Sequence, residues 1–218
     1  MSERRSPRIS TRKEPKQARS NDLVTAVLDA AVQVLEKEGA QRFTTARVAE
    51  RAGVSVGSLY QYFPNKAAIL FRLQSDEWRQ TTEMLRGLLV DESQPPLQRL
   101  RNLVHAFIRS ECEEARMRIA LSDAAPLYRD APEAREAKAA SEGIFQAFIA
   151  EVLPQASDTQ RTLARELITT TLGSVGKQFS ESPRSAEEIE AFSGAMADMF
   201  CAYLDRLTLA APMRSLAE

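Results

Sequence analysis

The sequence of 218 residues is 44% apolar and 27% charged and has a net charge of −1, which is the composition of an ordinary globular protein of one large or two small domains. None of its apolar runs approaches the roughly 20 residues of a membrane-spanning helix, and its N-terminus lacks the apolar region of a secretory signal. The two cysteines, Cys112 and Cys201, lie far apart in the sequence and form no metal-binding or redox motif, so we expect a reduced, cytoplasmic protein without membrane contact.

Positive charge is concentrated at the N-terminal end. Residues 1–70 contain 12 Lys/Arg against 7 Asp/Glu, whereas residues 71–218 contain 17 against 23. The basic residues of the first 19 are Arg4, Arg5, Arg8, Arg12, Lys13, Lys16 and Arg19. Because this segment has few apolar residues, it cannot bury enough surface to order itself, and we interpret residues 1–19 as a flexible basic arm. It is either a solvated tail without a partner or, if the next segment binds nucleic acid, an arm that contacts a polyanion.

Helical spacing of apolar residues continues through nearly all of the chain after residue 20, and no alternation typical of strands stands out. Capping residues mark the predicted helix starts, and glycine or proline marks the ends. The predicted helices cover about 21–38, 44–53, 55–62, 65–90, 95–114, 116–130, 133–153, 158–181 and 185–208. The sequence therefore predicts an all-α fold.

The two short helices within about 44–63 have the features of a helix-turn-helix motif. Gly53 tolerates the positive φ that the turn requires, and Ser55 caps the second helix so that its N-terminus projects outward. Small or apolar side chains stand where the two helices would cross, at Val48, Ala49, Ala52, Val54 and Leu59. This is the geometry by which a helix enters the major groove of DNA.

Several residues of this stretch could contact a DNA backbone. Gly57 inside the second helix costs about 1 kcal/mol relative to alanine, and close approach to another surface would explain it. Tyr60 and Tyr62 carry hydroxyls that can reach phosphate oxygens, and Lys66 lies at the N-terminus of the next helix, where free N–H groups also attract phosphate. Helix pairs of this kind also occur in proteins that bind no nucleic acid, and the basic arm favours DNA binding here.

The stretch resembles the DNA-binding domain of TetR-type transcriptional regulators. The matching residues are Thr45, Val48, Ala49, Ala52, Gly53, Val54, Ser55, Gly57, Leu59, Tyr60, Tyr62, Phe63 and Lys66. The match is dense over about 20 residues and covers residues 20–70 only. Beyond them the resemblance is one of architecture, an all-α chain of typical family length.

The resemblance implies three regions, namely the arm at 1–19, a three-helix helix-turn-helix domain at 20–70, and an effector-binding and dimerisation domain at 71–218 entered by the long helix. It also implies a homodimer that carries two helix-turn-helix domains, which we call its heads. The two heads bind a near-palindromic operator with half-sites about one DNA turn apart. A small molecule in the C-terminal domain would release the DNA. The implied function is a ligand-responsive transcriptional regulator, a repressor rather than an activator.

Carried over residue by residue, the resemblance assigns phosphate contacts to Thr44, Thr45, Tyr60, Tyr62 and Lys66. It assigns base edges to Ser55, Val56, Gly57, Ser58 and Gln61, and it leaves Arg47 in either role. The recognition helix contains no Arg or Lys. Base reading would therefore depend on Gln61, on Ser58 and on apolar contacts to thymine methyl groups.

Bulky apolar residues of the C-terminal region allow two interpretations. Those of the last two helices are either the core of one subunit or a two-fold four-helix interface. The candidates for that interface are Leu172, Val175, Phe179, Met196, Met199, Phe200 and Tyr203. The candidates for an effector pocket, which would be core in a domain without a cavity, are Trp78, His105, Phe107, Ile108, Met117, Leu121, Tyr128, Phe145 and Phe148.

The sequence contains no catalytic signature. His105 is the only histidine, so it has no second imidazole with which to bind a metal. We find no nucleophile–base pair, no glycine-rich phosphate loop and no metal-ligand spacing, and we expect neither an enzyme nor a cofactor. The alternative to a DNA-binding regulator is a helical protein–protein interaction module, and only DNA binding predicts a steep salt dependence.

Overall fold

A computed structural model describes residues 18–127 and 132–210, which form nine α-helices and a short 3₁₀ helix at Ala125–Leu127. The α-helices are α1 (Ala18–Arg42), α2 (Thr45–Arg51), α3 (Val56–Tyr62), α4 (Lys66–Leu89), α5 (Pro96–Glu113), α6 (Ala115–Ala124), α7 (Pro132–Val152), α8 (Asp158–Ser180) and α9 (Ala186–Ala210). The predicted all-α fold is confirmed. None of the helices in the described ranges is long and apolar enough to cross a lipid bilayer.

The helix ends follow from local chemistry. Gly39 interrupts α1 with a φ of 73° and a ψ of 171°, at the residue where the first helix was predicted to stop. The Ser157 side chain accepts a hydrogen bond from the Gln160 N–H at 3.3 Å, and the Gln160 side chain accepts one from the Ser157 N–H at 3.0 Å, so this capping box fixes the start of α8. Pro96 occupies the first turn of α5, where its missing N–H costs nothing.

The start of α9 is fixed in the same way. The Ser185 N–H donates to a Glu188 carboxylate oxygen at 2.7 Å, and the Ser185 side chain accepts from the Glu188 N–H at 3.2 Å. The hydrogen bond from the Ser185 backbone is the main reason that the pKa of the Glu188 carboxyl is lowered. Because its pKa is lowered, the Glu188 carboxyl is ionised at neutral pH and accepts this hydrogen bond as a carboxylate.

The predicted sixth helix is too long. It was expected to run to about residue 130, but α6 ends at Ala124 and continues as the 3₁₀ helix. Pro126 explains the difference, because proline has no N–H for the helical ladder and its ring clashes with the preceding turn. Tyr128, one of the predicted pocket residues, lies outside the described residues.

The described residues divide into two compact units, one within Met1–Arg79 and Arg116–Lys138, the other within Gln80–Ala115 and Ala139–Glu218. The predicted helix-turn-helix domain lies in the first unit, which also takes in α4 up to Arg79 and α6 from Arg116. Fully buried side chains of the first core include Leu35, Phe43, Leu59, Phe63, Ile69, Leu70 and Leu121. Those of the second include Leu89, Leu100, Leu103, Ile108 and Ile149.

Candidate nucleic-acid interface

The segment α2–turn–α3 forms the predicted helix-turn-helix motif. The Thr44 side chain caps α2 by accepting a hydrogen bond from the Arg47 N–H at 3.3 Å. Gly53 in the turn has a φ of 68°, which only glycine adopts without strain. The Val54 N–H then donates to the Ala49 carbonyl at 3.0 Å, which closes the turn against the end of α2.

The start of α3 is held by two serines. The Ser55 hydroxyl accepts a hydrogen bond from the Ser58 N–H at 3.0 Å and lies 2.8 Å from the Ser58 hydroxyl. Both hydroxyls are therefore engaged in the cap that the sequence predicted for Ser55. The contacts with base edges predicted for Ser55 and Ser58 would have to leave these hydrogen bonds of the cap intact.

One face of α3 is buried and the other is open to solvent. Leu59 and Phe63 are fully buried in the core of the first unit. On the opposite face Gly57 and Gln61 are exposed, and Val56 and Tyr60 are 40% and 39% exposed. The helix thus presents a ridge of four residues outward, Val56, Gly57, Tyr60 and Gln61, which we call the α3 ridge.

The two tyrosines of this helix have different environments. Tyr60 lies on the α3 ridge, and its hydroxyl is 3.1 Å from the Thr45 hydroxyl of α2. Tyr62 is only 7% exposed and belongs to the core cluster, because it follows Leu59 by three residues on the same side of the helix. The two predicted phosphate contacts therefore start from different degrees of burial, and both stay predictions.

Gly57 has no structural reason to be glycine within the described chain. A Cβ atom built on it would meet only the Ser55 Oγ, at 3.8 Å, which is ordinary van der Waals contact. Its φ is also not positive, since Gly39 and Gly53 are the positive-φ glycines of the described residues. The free space above Gly57 is what close approach of an external surface would use.

The N-terminus of α4 lies directly after α3. The Asn65 side chain accepts a hydrogen bond from the Ala68 N–H at 2.9 Å and so caps the start of α4. Lys66, the first residue of α4, is exposed. A positive side chain at the positive end of a helix dipole is the arrangement that attracts a phosphate.

Arg47 is held by a partner that the sequence pattern did not indicate. Its guanidinium pairs with Glu38 of α1 and also donates to the Arg42 carbonyl at 3.2 Å. Arg51 on the same helix donates from Nε to the Gln33 side chain at 2.6 Å. Both arginines therefore join α2 to α1, and long-range pairs of this kind leave no periodic signal in the sequence.

The candidate effector-pocket residues separate into the two cores. Trp78, Met117 and Leu121 pack in or against the core of the first unit. Phe107, Ile108, Phe145 and Phe148 pack in or against the core of the second. These residues thus belong to two separate cores, and their assignment to an effector pocket stays a prediction.

His105 makes local contacts within the second unit. Its Nδ1 is 2.9 Å from the Ser193 hydroxyl and 3.4 Å from a Glu190 carboxylate oxygen. Across the described residues, no group of three or more His, Cys, Asp or Glu side chains is arranged to hold a metal ion. Burial raises the pKa of the Cys112 and Cys201 thiols, which keeps both protonated at neutral pH.

The candidate dimer-interface residues differ in burial within the single subunit, and their place in an interface stays a prediction. Leu172, Met196 and Phe200 are buried in the core of their own unit, and Val175, Phe179 and Tyr203 pack against it. Met199 is 52% exposed, and so are two α8 residues outside the predicted set, Leu163 at 58% and Leu167 at 47%. Helical periodicity finds apolar residues but does not distinguish the inward face from an outward one.

The fold and the α3 ridge define a class of protein, the helix-turn-helix regulators that place the second helix of the motif on DNA. Two family profiles agree with this class: "Bacterial regulatory proteins, tetR family" matches residues 27–73, and "Tetracyclin repressor-like, C-terminal domain" matches residues 95–207. The second profile alone covers more than half of the chain. The protein belongs to the TetR family.

Curated relatives match over less than half of their length. The nucleoid occlusion factor SlmA of Vibrio campbellii is 37% identical over 84 residues, which are 38% of this chain and 42% of SlmA. The fatty acid metabolism regulator protein of Bacillus subtilis is 36% identical over 59 residues, 27% of this chain and 30% of the relative. The chain thus spans less than half the length of these two relatives.

Solved structures share the fold over most of the chain. The fatty acid degradation regulator FadR of Bacillus halodurans superimposes with a TM-score of 0.65 at 19% identity, covering 86% of this chain and 97% of FadR. FadR of Bacillus subtilis in complex with stearoyl-CoA gives 0.63 at 17% identity, covering 81% and 97%. NalD of Pseudomonas aeruginosa, the secondary repressor of the MexAB-OprM multidrug efflux pump, gives 0.60 at 18% identity, covering 86% and 97%. At these identities the likeness establishes the fold alone.

Proposed function

We propose that this protein is a cytoplasmic, homodimeric DNA-binding transcriptional repressor that a small-molecule effector releases from a near-palindromic operator. The observation that carries the proposal is the α3 ridge, a row of exposed residues on a short, capped helix whose other face is buried. A helix presented in this way can lie in a major groove without unfolding any part of its unit.

The ridge and its surroundings suggest distinct roles for individual residues. Lys66 and the Tyr60 hydroxyl bind phosphates and fix the register of the motif on the duplex. Gln61 reads a base edge, for which adenine is the usual partner of a Gln amide, and Val56 contacts a thymine methyl group. Gly57 lets the backbone of α3 approach the groove. Thr44 and Thr45, at the start of α2, contact further phosphates.

A second copy of the chain, related to the first by two-fold symmetry, would supply the second DNA-binding head. Leu163 and Leu167 lie four residues apart, hence on one face of α8, and Met199 is exposed on α9. We propose that these apolar side chains meet the same residues of a second copy in an isologous interface. A monomer would leave three large apolar side chains in water.

A displacement of α4 would connect effector and DNA. α4 begins at Lys66, directly after the α3 ridge, and its residues up to Leu73 contribute to the first core. Leu85 and Leu89 near its other end contribute to the second core. An effector that shifts this helix would change the separation of the two heads, and a coupling free energy of about 1–3 kcal/mol would make a useful switch.

The comparisons support this proposal over its alternative. NalD is a repressor, and the Bacillus subtilis FadR structure contains stearoyl-CoA, so related folds carry both properties. A protein–protein interaction module would not need the open α3 ridge beside Lys66. Residues 1–17, most of the predicted basic arm, lie outside the described residues, and we propose that the arm adds phosphate contacts.

The salt dependence of DNA binding tests the proposed contacts. With a duplex selected from a random library, the logarithm of the association constant should fall linearly with the logarithm of salt concentration, by about 0.9 for each phosphate contact. Lys66→Ala removes one contact per protomer, so the slope of the dimer should become less steep by about 1.8. Tyr60→Phe should weaken binding with a smaller change of slope. Fluorescence anisotropy at four or more salt concentrations measures the slopes of the parent protein, of Lys66→Ala and of Tyr60→Phe.

Lys37→Ala is the matched control, since Lys37 is another exposed lysine of the same unit and outside the proposed contacts. It should leave the slope unchanged. A flat salt dependence of the parent protein would favour the interaction module, and an unchanged slope in Lys66→Ala would remove Lys66 from the interface.

A further inference from the structure

One cation of the helix-turn-helix motif is held by a carboxylate of α1. The Arg47 guanidinium pairs with Glu38 and donates a further hydrogen bond to the Arg42 carbonyl at 3.2 Å. The side chains of Arg47 and Glu38 are 45% and 33% exposed and line the same groove between α1 and α2. Ion pairs that are open to water are weak, because solvent and salt screen both charges. A second anion could therefore compete with Glu38 for Arg47.

Arg47 lies at the end of α2 that adjoins the α3 ridge. Its N–H donates to the Thr44 hydroxyl that caps α2. In the same turn, the Thr45 hydroxyl is 3.1 Å from the hydroxyl of Tyr60 on the ridge. When the second helix of such a motif lies in the major groove, the first helix crosses the DNA backbone. The anion that Arg47 would meet on DNA is therefore a phosphate.

The position of Glu38 in α1 does not favour a carboxylate. Glu38 is the last residue before Gly39, where the helix is interrupted at a φ of 73°. The C-terminal end of a helix carries a partial negative charge, which repels a carboxylate. Helix stability therefore does not explain an acidic residue here, whereas the pair with Arg47 does. For the same reason, a neutral side chain at position 38 should not weaken α1.

The charge of one arginine matters because the recognition helix α3 contains no Arg or Lys. Contacts between cations and phosphates provide the part of DNA binding that does not depend on sequence. The two arginines of α2 differ in their partners. Arg51 donates from Nε to the neutral amide of Gln33 at 2.6 Å, which leaves its charge uncompensated by that partner, whereas Arg47 pairs with a carboxylate.

We propose that Glu38 is a positioning residue that limits the strength of DNA binding, because its carboxylate competes with a backbone phosphate for the Arg47 guanidinium. The inference rests on the proposed function and deepens it by adding a residue that holds a phosphate contact back. Neutralising Glu38 should therefore raise the affinity for DNA. Loss of a purely structural contact would not do so.

Glu38→Gln in the full chain tests the proposal, since glutamine keeps a side-chain acceptor for Arg47 and removes the charge. The logarithm of the association constant should fall more steeply with the logarithm of salt concentration, by about 1.8 for one added phosphate contact in each protomer of the dimer. The gain in affinity over the parent should accordingly shrink about 12-fold between about 50 and about 200 mM salt. Fluorescence anisotropy with one duplex measures both proteins.

Three further variants separate this effect from a general change of charge. Glu36→Gln removes the same charge from an exposed position of α1 outside the groove lining, and it should keep the slope of the parent. Arg47→Ala and the double variant Glu38→Gln with Arg47→Ala should have equal slopes, because neither contains a guanidinium for Glu38 to hold. Urea unfolding of every variant measures its free energy of unfolding and shows whether it is folded.

The proposal is overturned if Glu38→Gln keeps the slope of the parent, or if Glu36→Gln steepens the slope equally. It is also overturned if Glu38→Gln steepens the slope when Arg47 is alanine. A lower free energy of unfolding of Glu38→Gln with an unchanged slope would make the pair a brace between α1 and α2 instead. A parent protein that does not bind DNA would contradict the proposed function as well, whereas a steep parent slope that Glu38→Gln does not change would contradict this inference alone.

Discussion

Replacing Gly57 with glutamate is expected to lower the affinity for operator DNA at least about 100-fold, because it places a carboxylate where the α3 ridge would meet phosphates and base edges. The fold should tolerate the change. A Cβ atom at this position meets only the Ser55 Oγ at 3.8 Å, so the side chain has room. Replacing a glycine inside a helix should leave the free energy of unfolding unchanged or raise it by up to about 1 kcal/mol.

Gly87→Glu provides the matched control for this prediction. Gly87 is an exposed glycine of α4 whose Cβ position has no neighbour within 4 Å, and it lies in the second unit. The Gly87→Glu protein should gain about as much helix stability as Gly57→Glu and should retain DNA binding. Fluorescence anisotropy titrations measure the DNA affinity of both variants, and urea unfolding measures their free energy of unfolding. If Gly57→Glu binds DNA as Gly87→Glu does, the α3 ridge is not the DNA-binding surface.

Changing Leu167 to aspartate is expected to separate the two subunits. Leu167 is 47% exposed on the face of α8 that also carries Leu163, and a carboxylate there would be desolvated in a two-fold interface opposite its own copy. The monomer would hold a single head, and loss of the second contact should reduce operator affinity by about 100-fold or more. Light scattering after size-exclusion chromatography measures the mass, and anisotropy measures the affinity.

Ile119→Asp is the control for the subunit interface. Ile119 is another partly exposed aliphatic residue, on α6 of the first unit, and it lies outside the proposed interface. Its variant should remain dimeric. A Leu167→Asp protein that elutes with the mass of a dimer would place the interface elsewhere on the chain.

The helices could be predicted because their signals are local. Capping by Ser55 and the glycines at positions 39 and 53 act within a few residues of the chain, and the structure has them where the pattern indicated. The end of α6 differs from the predicted end at about residue 130, because proline at position 126 interrupts the helical ladder.

The distinction between core and surface could not be predicted in the same way. Leu172 and Met199 share the same apolar pattern, yet one is buried in its unit and the other is exposed, because which face packs inward depends on helices distant in the sequence. The Arg47–Glu38 pair and the anchoring of Arg99 by Glu151 depend on contacts of the same kind. The burial of Tyr62 beside the exposed Tyr60 is a further difference that helical spacing did not indicate.

Selection of bound duplexes from a random library, carried out with the parent protein and with Gln61→Ala, tests most directly that α3 reads DNA. The parent should enrich a near-palindrome whose half-sites are centred about 10 base pairs apart. Gln61→Ala should enrich the same sequence with preference lost at one symmetric pair of positions, because a single side-chain contact to a base has been removed from each half-site. An identical preference in both proteins, or no enriched sequence with the parent, would contradict the account.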